Sequence, residues 1–189
     1  SYDRALVLRP DDADALSNRG ATLHDLGIYE EALQSYDRAL TIEPQHVQAH
    51  VNRGLTLREL KRPAEALACY DKARAINPDF ALVHYNRGLA LTELTRYAEA
   101  CVSYKRALSQ RPDSMEVLNC LGVVLGKLGQ YEEALDNHTR ALALAPLDPV
   151  TICNRGAALA SLKRHDESLE HYERALSLKP DSIEALINK

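Results

Sequence analysis

The sequence predicts an all-α protein built from repeated helix pairs. Three observations carry this. Glycine falls at 20, 54, 88, 122 and 156, each 34 residues from the last, and a fixed period of this length marks a repeat architecture. Other columns keep the same register: Leu23, Leu57, Leu91, Leu125 and Leu159; Ala39, Ala73, Ala107, Ala141 and Ala175; Pro44, Pro78, Pro112, Pro146 and Pro180. Within a period, apolar residues such as Leu67, Tyr70 and Ala73 have the spacing of one buried helical face.

Taken in chain order, residues 1–12 match the end of a second helix, since Tyr2, Ala5 and Pro10 fall in its columns. Five complete units follow: 13–46, 47–80, 81–114, 115–148 and 149–182. Residues 183–189 match the start of a further first helix. Both ends thus fall inside a repeat, without the polar capping unit that usually closes an array, so an excerpt of a longer array is expected.

In the unit 47–80, a first helix is expected at about 47–60, starting after Pro44, because proline ends the preceding helix. Asp12, Ser114, Asp148 and Ser182 stand where an N-cap oxygen is wanted, whereas His46 and Phe80 do not suit that role. A second helix is expected at about 64–77. Gly27 and Gly129 suit a turn with positive φ between the helices. Lys61, Thr95 and Lys163 replace them elsewhere, which implies that the turn accepts more than one geometry.

The glycine column lies inside the first helix, where glycine costs about 1 kcal/mol relative to alanine. Gly20, Gly54, Gly88, Gly122 and Gly156 therefore read as structural: each removes a side chain where the two helices approach. Replacing Gly54 by leucine is expected to destabilise by overpacking.

These columns resemble the tetratricopeptide repeat family, in which two antiparallel helices form each unit and successive units stack into a right-handed α-solenoid. The resemblance covers the whole chain. The family's aromatic column in the second helix matches Tyr36, Tyr70, Tyr104 and Tyr172, with His138 in the fourth unit. Its tyrosine at the start of that helix matches Tyr29, Tyr97 and Tyr131; Pro63 and His165 depart. Its tryptophan is absent, and Leu16, His50, His84, Leu118 and Ile152 occupy that column.

Composition excludes several functions. The net charge is −4, so no basic field for nucleic acid exists. No apolar run approaches the ~18 residues of a membrane span. Cys69, Cys101, Cys120 and Cys153 form no CxxC, and reduced thiols in a cytoplasmic protein are the simplest reading. His46 and His50 have an i, i+4 spacing that metal ligands use, but nothing evident completes a ligand set. No catalytic residue, metal or cofactor is expected.

The resemblance implies a concave groove lined by first helices. Mapped onto this chain, its apolar middle comprises Val51, Leu55, Leu82, Tyr85, Leu89 and Val123, and such patches usually mark partner sites. Asn18, Asn52, Asn86 and Asn154 form one column, interrupted by Cys120, with Asn119 one place off register. Amides offer both donor and acceptor. The row resembles the asparagine ladder in the repeat arm of O-linked N-acetylglucosamine transferases, where it would hold a peptide backbone. Alternatively, each amide bonds within the array and orders the next first helix. The lysine and asparagine clamp by which some co-chaperones of this family grip a C-terminal carboxylate has no matching columns. Arg19, Arg53, Arg87 and Arg155 suggest ion pairs within a repeat, with Asp37, Asp71 and Glu173; Arg87 with Lys105 contradicts that pattern.

Three functions are compatible with these residues. The first is a protein-interaction module binding an extended peptide of a partner. The second is the substrate-recruiting arm of a larger glycosyltransferase of the SPINDLY or O-linked N-acetylglucosamine transferase type. The third is a scaffold that self-associates end to end.

Overall fold

The computed structural model describes residues 9–188, apart from the side chains of Glu184 and Asn188. The second-helix end expected at 1–12 lies largely outside the described residues. Every regular element described is an α-helix. In order these are α1 (Ala13–Asp25), α2 (Tyr29–Ile42), α3 (Val47–Glu59), α4 (Pro63–Ile76), α5 (Ala81–Glu93), α6 (Tyr97–Gln110), α7 (Met115–Lys127), α8 (Tyr131–Leu144), α9 (Pro149–Ser161), α10 (His165–Leu178) and α11 (Ile183–Asn188).

The chain divides into two compact units, residues 1–95 and 96–189. In the first, α1 packs on α2 and α3 on α4 as helix pairs. Each second helix also packs on the next first helix, α2 on α3 and α4 on α5, and the first helices α1, α3 and α5 touch in sequence. The second unit repeats this scheme. The pairs are α7 with α8 and α9 with α10, α6 packs on α7 and α8 on α9, and α7 meets α9.

All five turns within the helix pairs adopt one geometry. Gly27 and Gly129 have φ of 75° and 77°, and Lys61, Thr95 and Lys163 have φ of 57°, 58° and 61°. This corrects the expectation that the non-glycine turns differ. The reason is hydrogen bonding. The amides of Lys61 and Arg62 donate to the carbonyls of Arg58 and Leu57, both at 2.9 Å, and Gly129 with Gln130 and Lys163 with Arg164 do the same. This double bond back onto the last helical turn requires one residue in the left-handed region, and lysine or threonine takes it at a cost in strain.

Two capping expectations also change. His46 does cap α3: its Nδ1 accepts from the Ala49 amide at 3.3 Å. Ser114 does not cap α7 by its side chain; its Oγ donates instead to Glu116 Oε2. A carboxylate two residues on competes for the hydroxyl with a charge-assisted bond. Asp12 and Asp148 cap as expected, and Pro63 occupies the first turn of α4, where its missing N–H is not needed.

Inside the pairs α1–α2, α3–α4, α7–α8 and α9–α10, the glycine column meets the aromatic column. A Cβ added at Gly54 would lie 2.5 Å from the Tyr70 ring, and one at Gly20 equally close to Tyr36. The same contact joins Gly122 to His138 at 2.5 Å and Gly156 to Tyr172 at 2.8 Å. Close approach of the two backbones is what lets Tyr36 and Tyr70 be fully buried, each such ring contributing a large apolar area to the core.

Candidate groove on the first helices

The amide column does not behave as one set. In the first unit Asn18 is exposed. Asn52 is half-buried, and its Oδ1 accepts from Gln48 Nε2 at 2.7 Å. Asn86 is buried, and its Nδ2 donates to the Leu82 carbonyl of its own helix at 3.0 Å. In the second unit Asn154 Nδ2 donates to Asn119 Oδ1 at 3.1 Å, joining α9 to α7. Asn119, off register in the sequence, is thus the partner of the next first helix.

The apolar residues divide in the same way. Val51 is completely buried and belongs to the core. Leu55, Tyr85 and Leu89 are half-buried. Leu82 is 38% exposed in the first unit, and Val123 and Val150 are 37% and 50% exposed in the second.

Arg19 pairs within its own repeat, with Ser35 and Glu31, whereas Arg53, Arg87 and Arg155 reach the preceding repeat. Arg53 Nε donates to Asp37 Oδ1 of the preceding repeat at 2.7 Å, and its Nη1 donates to Cys69 Sγ of its own repeat at 3.0 Å. Arg87 Nε donates to Asp71 Oδ1 at 2.7 Å. Arg155 Nε donates to Thr139 Oγ1 at 3.0 Å, and its Nη1 meets His171 Nε2. The expected acid was that of the same repeat; the structure places it 16 residues earlier. The cause is the packing of each second helix on the following first helix. This removes the contradiction at Arg87 with Lys105, because Lys105 is the counterpart of Leu121, and its Nζ pairs with Glu133 at 3.4 Å. Where threonine replaces the acid, burial and then Arg164 pull the Arg155 guanidinium below its ordinary pKa.

His50 and His84 fill the tryptophan column as buried donors. Their Nε2 atoms donate to the carbonyls of Pro44 at 2.9 Å and Pro78 at 2.7 Å, and burial lowers the His50 pKa. The carbonyls at the repeat ends are otherwise orphaned; in the second unit Arg140 and Arg174 reach those of Pro112 and Pro146. His46 is committed at both nitrogens, with Nε2 on Asp14 Oδ1 at 3.1 Å. The four cysteines form no disulfide. No helix among the described residues is long and apolar enough to cross a membrane.

One feature escaped the sequence reading. In the second unit a cavity of about 240 Å³ lies among α7, α8 and α9, with His138 in its wall. Its signal was the coincidence, in one repeat, of His138 for tyrosine and Gly126 for a side chain.

Tetratricopeptide repeat profiles match residues 13–46, 47–80 and 149–182, and a second profile of that repeat matches 79–146. The chain belongs to the tetratricopeptide repeat family. No curated protein sequence matches it. Among solved structures, it is similar to YrrB, described as a TPR protein with an unusual peptide-binding site. Identity is 23% and the TM-score 0.88, over 99% of this chain and 96% of that one. It is similar to MamA from Desulfovibrio magneticus RS-1 (19%, TM-score 0.84, 90% and 97% covered). PilW, a type IV pilus biogenesis factor, matches at 23% identity and a TM-score of 0.85, with 98% and 86% covered. At these identities the likeness is one of fold.

Proposed function

We propose that this tetratricopeptide repeat chain is a protein-interaction module that holds an extended segment of a partner against its first helices. The observation that carries this is the exposure of Leu82 on a first helix of the first unit and of Val123 and Val150 on first helices of the second. Apolar groups kept in water on the first helices of each unit favour a partner that covers them. Asn18 and Asn52 stand on the first helices α1 and α3, and the Asn52 amide NH₂ suits a peptide carbonyl. Asn86, Asn154 and Asn119 serve the array itself, as their hydrogen bonds lie within it. The peptide-binding description of YrrB agrees with this reading.

A selection from a displayed library of random nonapeptides tests it. Recovered peptides, measured by titration calorimetry, should bind at least ~10-fold more weakly to Leu82→Glu and to Val123→Glu, since a lost buried contact of ~1.4 kcal/mol is tenfold. Circular dichroism should remain that of the parent protein. Equal affinity in both variants would refute the assignment.

A further inference from the structure

The fourth repeat loses volume at one place from three directions. His138 replaces the tyrosine of Tyr36, Tyr70, Tyr104 and Tyr172, and an imidazole is shorter than a phenol. Gly126 lies one turn beyond Gly122 on α7, where a Cβ would meet nothing within 4 Å; the other repeats have His24, Arg58, Thr92 and Ala160 there. Ala157 and Ala158 on α9 form the facing wall. The resulting cavity of about 240 Å³ extends to Val123 and Asn154, residues of the first-helix faces.

Its polar content is uneven. Asn154 Nδ2 is used by Asn119, and Ser161 Oγ donates to the Ala157 carbonyl. Lys127 is exposed and keeps its ammonium in water. His138 is 2% exposed, and its Nδ1 is buried without a hydrogen-bond partner, a costly arrangement.

These features select an occupant. The volume is below the ~300 Å³ at which pockets for drug-sized ligands begin, so it suits a single side chain. Burial depresses the His138 pKa to about 4, so near neutral pH the imidazole carries no charge to offset a buried carboxylate, and an ammonium would stay uncompensated. The half-buried Tyr131 offers ring surface to an aromatic. We propose that this cavity is a subsite for the tyrosine side chain of a bound segment, its hydroxyl hydrogen-bonded to His138 and its ring between Gly126 and Ala157. This rests on the reading of the first helices as a peptide surface.

Two measurements test the subsite and the surface separately. p-Cresol, the tyrosine side chain without its backbone, is titrated into isotope-labelled protein. Saturable shifts are expected at the Gly122 and Gly126 amides and the His138 ring. Toluene should bind roughly tenfold more weakly for want of the hydroxyl, and Gly126→Leu should abolish binding while unfolding at an unchanged or higher temperature. Absence of saturable shifts, equal binding of toluene, or tighter binding of p-toluate would each overturn the proposal. In the peptide selection, tyrosine should be enriched at one position, and the enrichment should vanish against Gly126→Leu. Binders without that preference would reject the subsite and leave the peptide surface standing. p-Cresol binding with no peptide recovered would reject the surface, and with it a peptide tyrosine as occupant.

Discussion

The second and fourth repeats share a backbone plan and differ in what fills it. In 47–80, Gly54 abuts a fully buried Tyr70, and Arg53 ties Asp37 to Cys69. In 115–148, Gly122 abuts His138, the arginine is Leu121, and the residue facing it in the preceding repeat is Lys105. Leu121 is buried. At Leu121 guanidinium and carboxylate are both gone, whereas Arg155 keeps its guanidinium and takes Thr139 in place of the acid. Only the glycine survives, because a smaller ring still presses on the same backbone. Columns in a repeat therefore record pairs of touching residues.

Glycine-to-alanine substitutions probe this difference most strongly. Gly54→Ala should cost about 3 kcal/mol, because Tyr70 has nowhere to move. Gly122→Ala should cost less, since the imidazole backs onto a cavity. Gly126→Ala should stabilise by up to ~1 kcal/mol, as helix propensity rises in open space. Denaturant unfolding of the three variants gives the order, and equal losses at Gly54 and Gly122 would erase the distinction.

The His138 column is next. Its folded pKa is about 4 against an ordinary 6.5, so the unfolded chain takes up the proton first as pH falls. Stability is full above about pH 6.5 and declines toward pH 4, by at most roughly 3 kcal/mol. His138→Tyr, which restores the regular column, should flatten this decline. His50, also lowered by burial, leaves a residual slope. Urea midpoints at pH 7 and 4.5 provide the comparison, and parallel losses in both proteins would count against a buried neutral imidazole.

The smallest effect concerns the arginine bridge. A double-mutant cycle should couple Asp71 to Arg87 of the next repeat by up to ~1 kcal/mol at low salt, for a partly exposed pair. Coupling to Arg53 of its own repeat should be near zero. The reverse result would restore the pairing within one repeat.

Much of this was legible in the 34-residue period. It located helix pairs that begin and end close to the observed α3 and α4, and it identified Gly54 as a packing residue. What it missed depends on orientation. The arginine column could be matched to an acid column, but a column does not say which repeat supplies the nearer acid. Likewise, four asparagines in one register face different neighbours, so Asn86 turns to its own helix while Asn154 reaches Asn119. His46 as a cap and Lys61 in the left-handed region were unexpected because local preference is weaker than the hydrogen bonds the fold demands there. Val51 was assigned to a surface that neighbouring helices cover.

The arginine bridge gives the array a direction. The guanidiniums of Arg53, Arg87 and Arg155 reach back from one repeat to its predecessor, so each of these repeats is fastened by its own side chain to the one made before it. Where Leu121 replaces the arginine, the third and fourth repeats are joined instead by the exposed pair of Lys105 and Glu133. Added salt weakens all these ion pairs, and most of all the exposed one between Lys105 and Glu133.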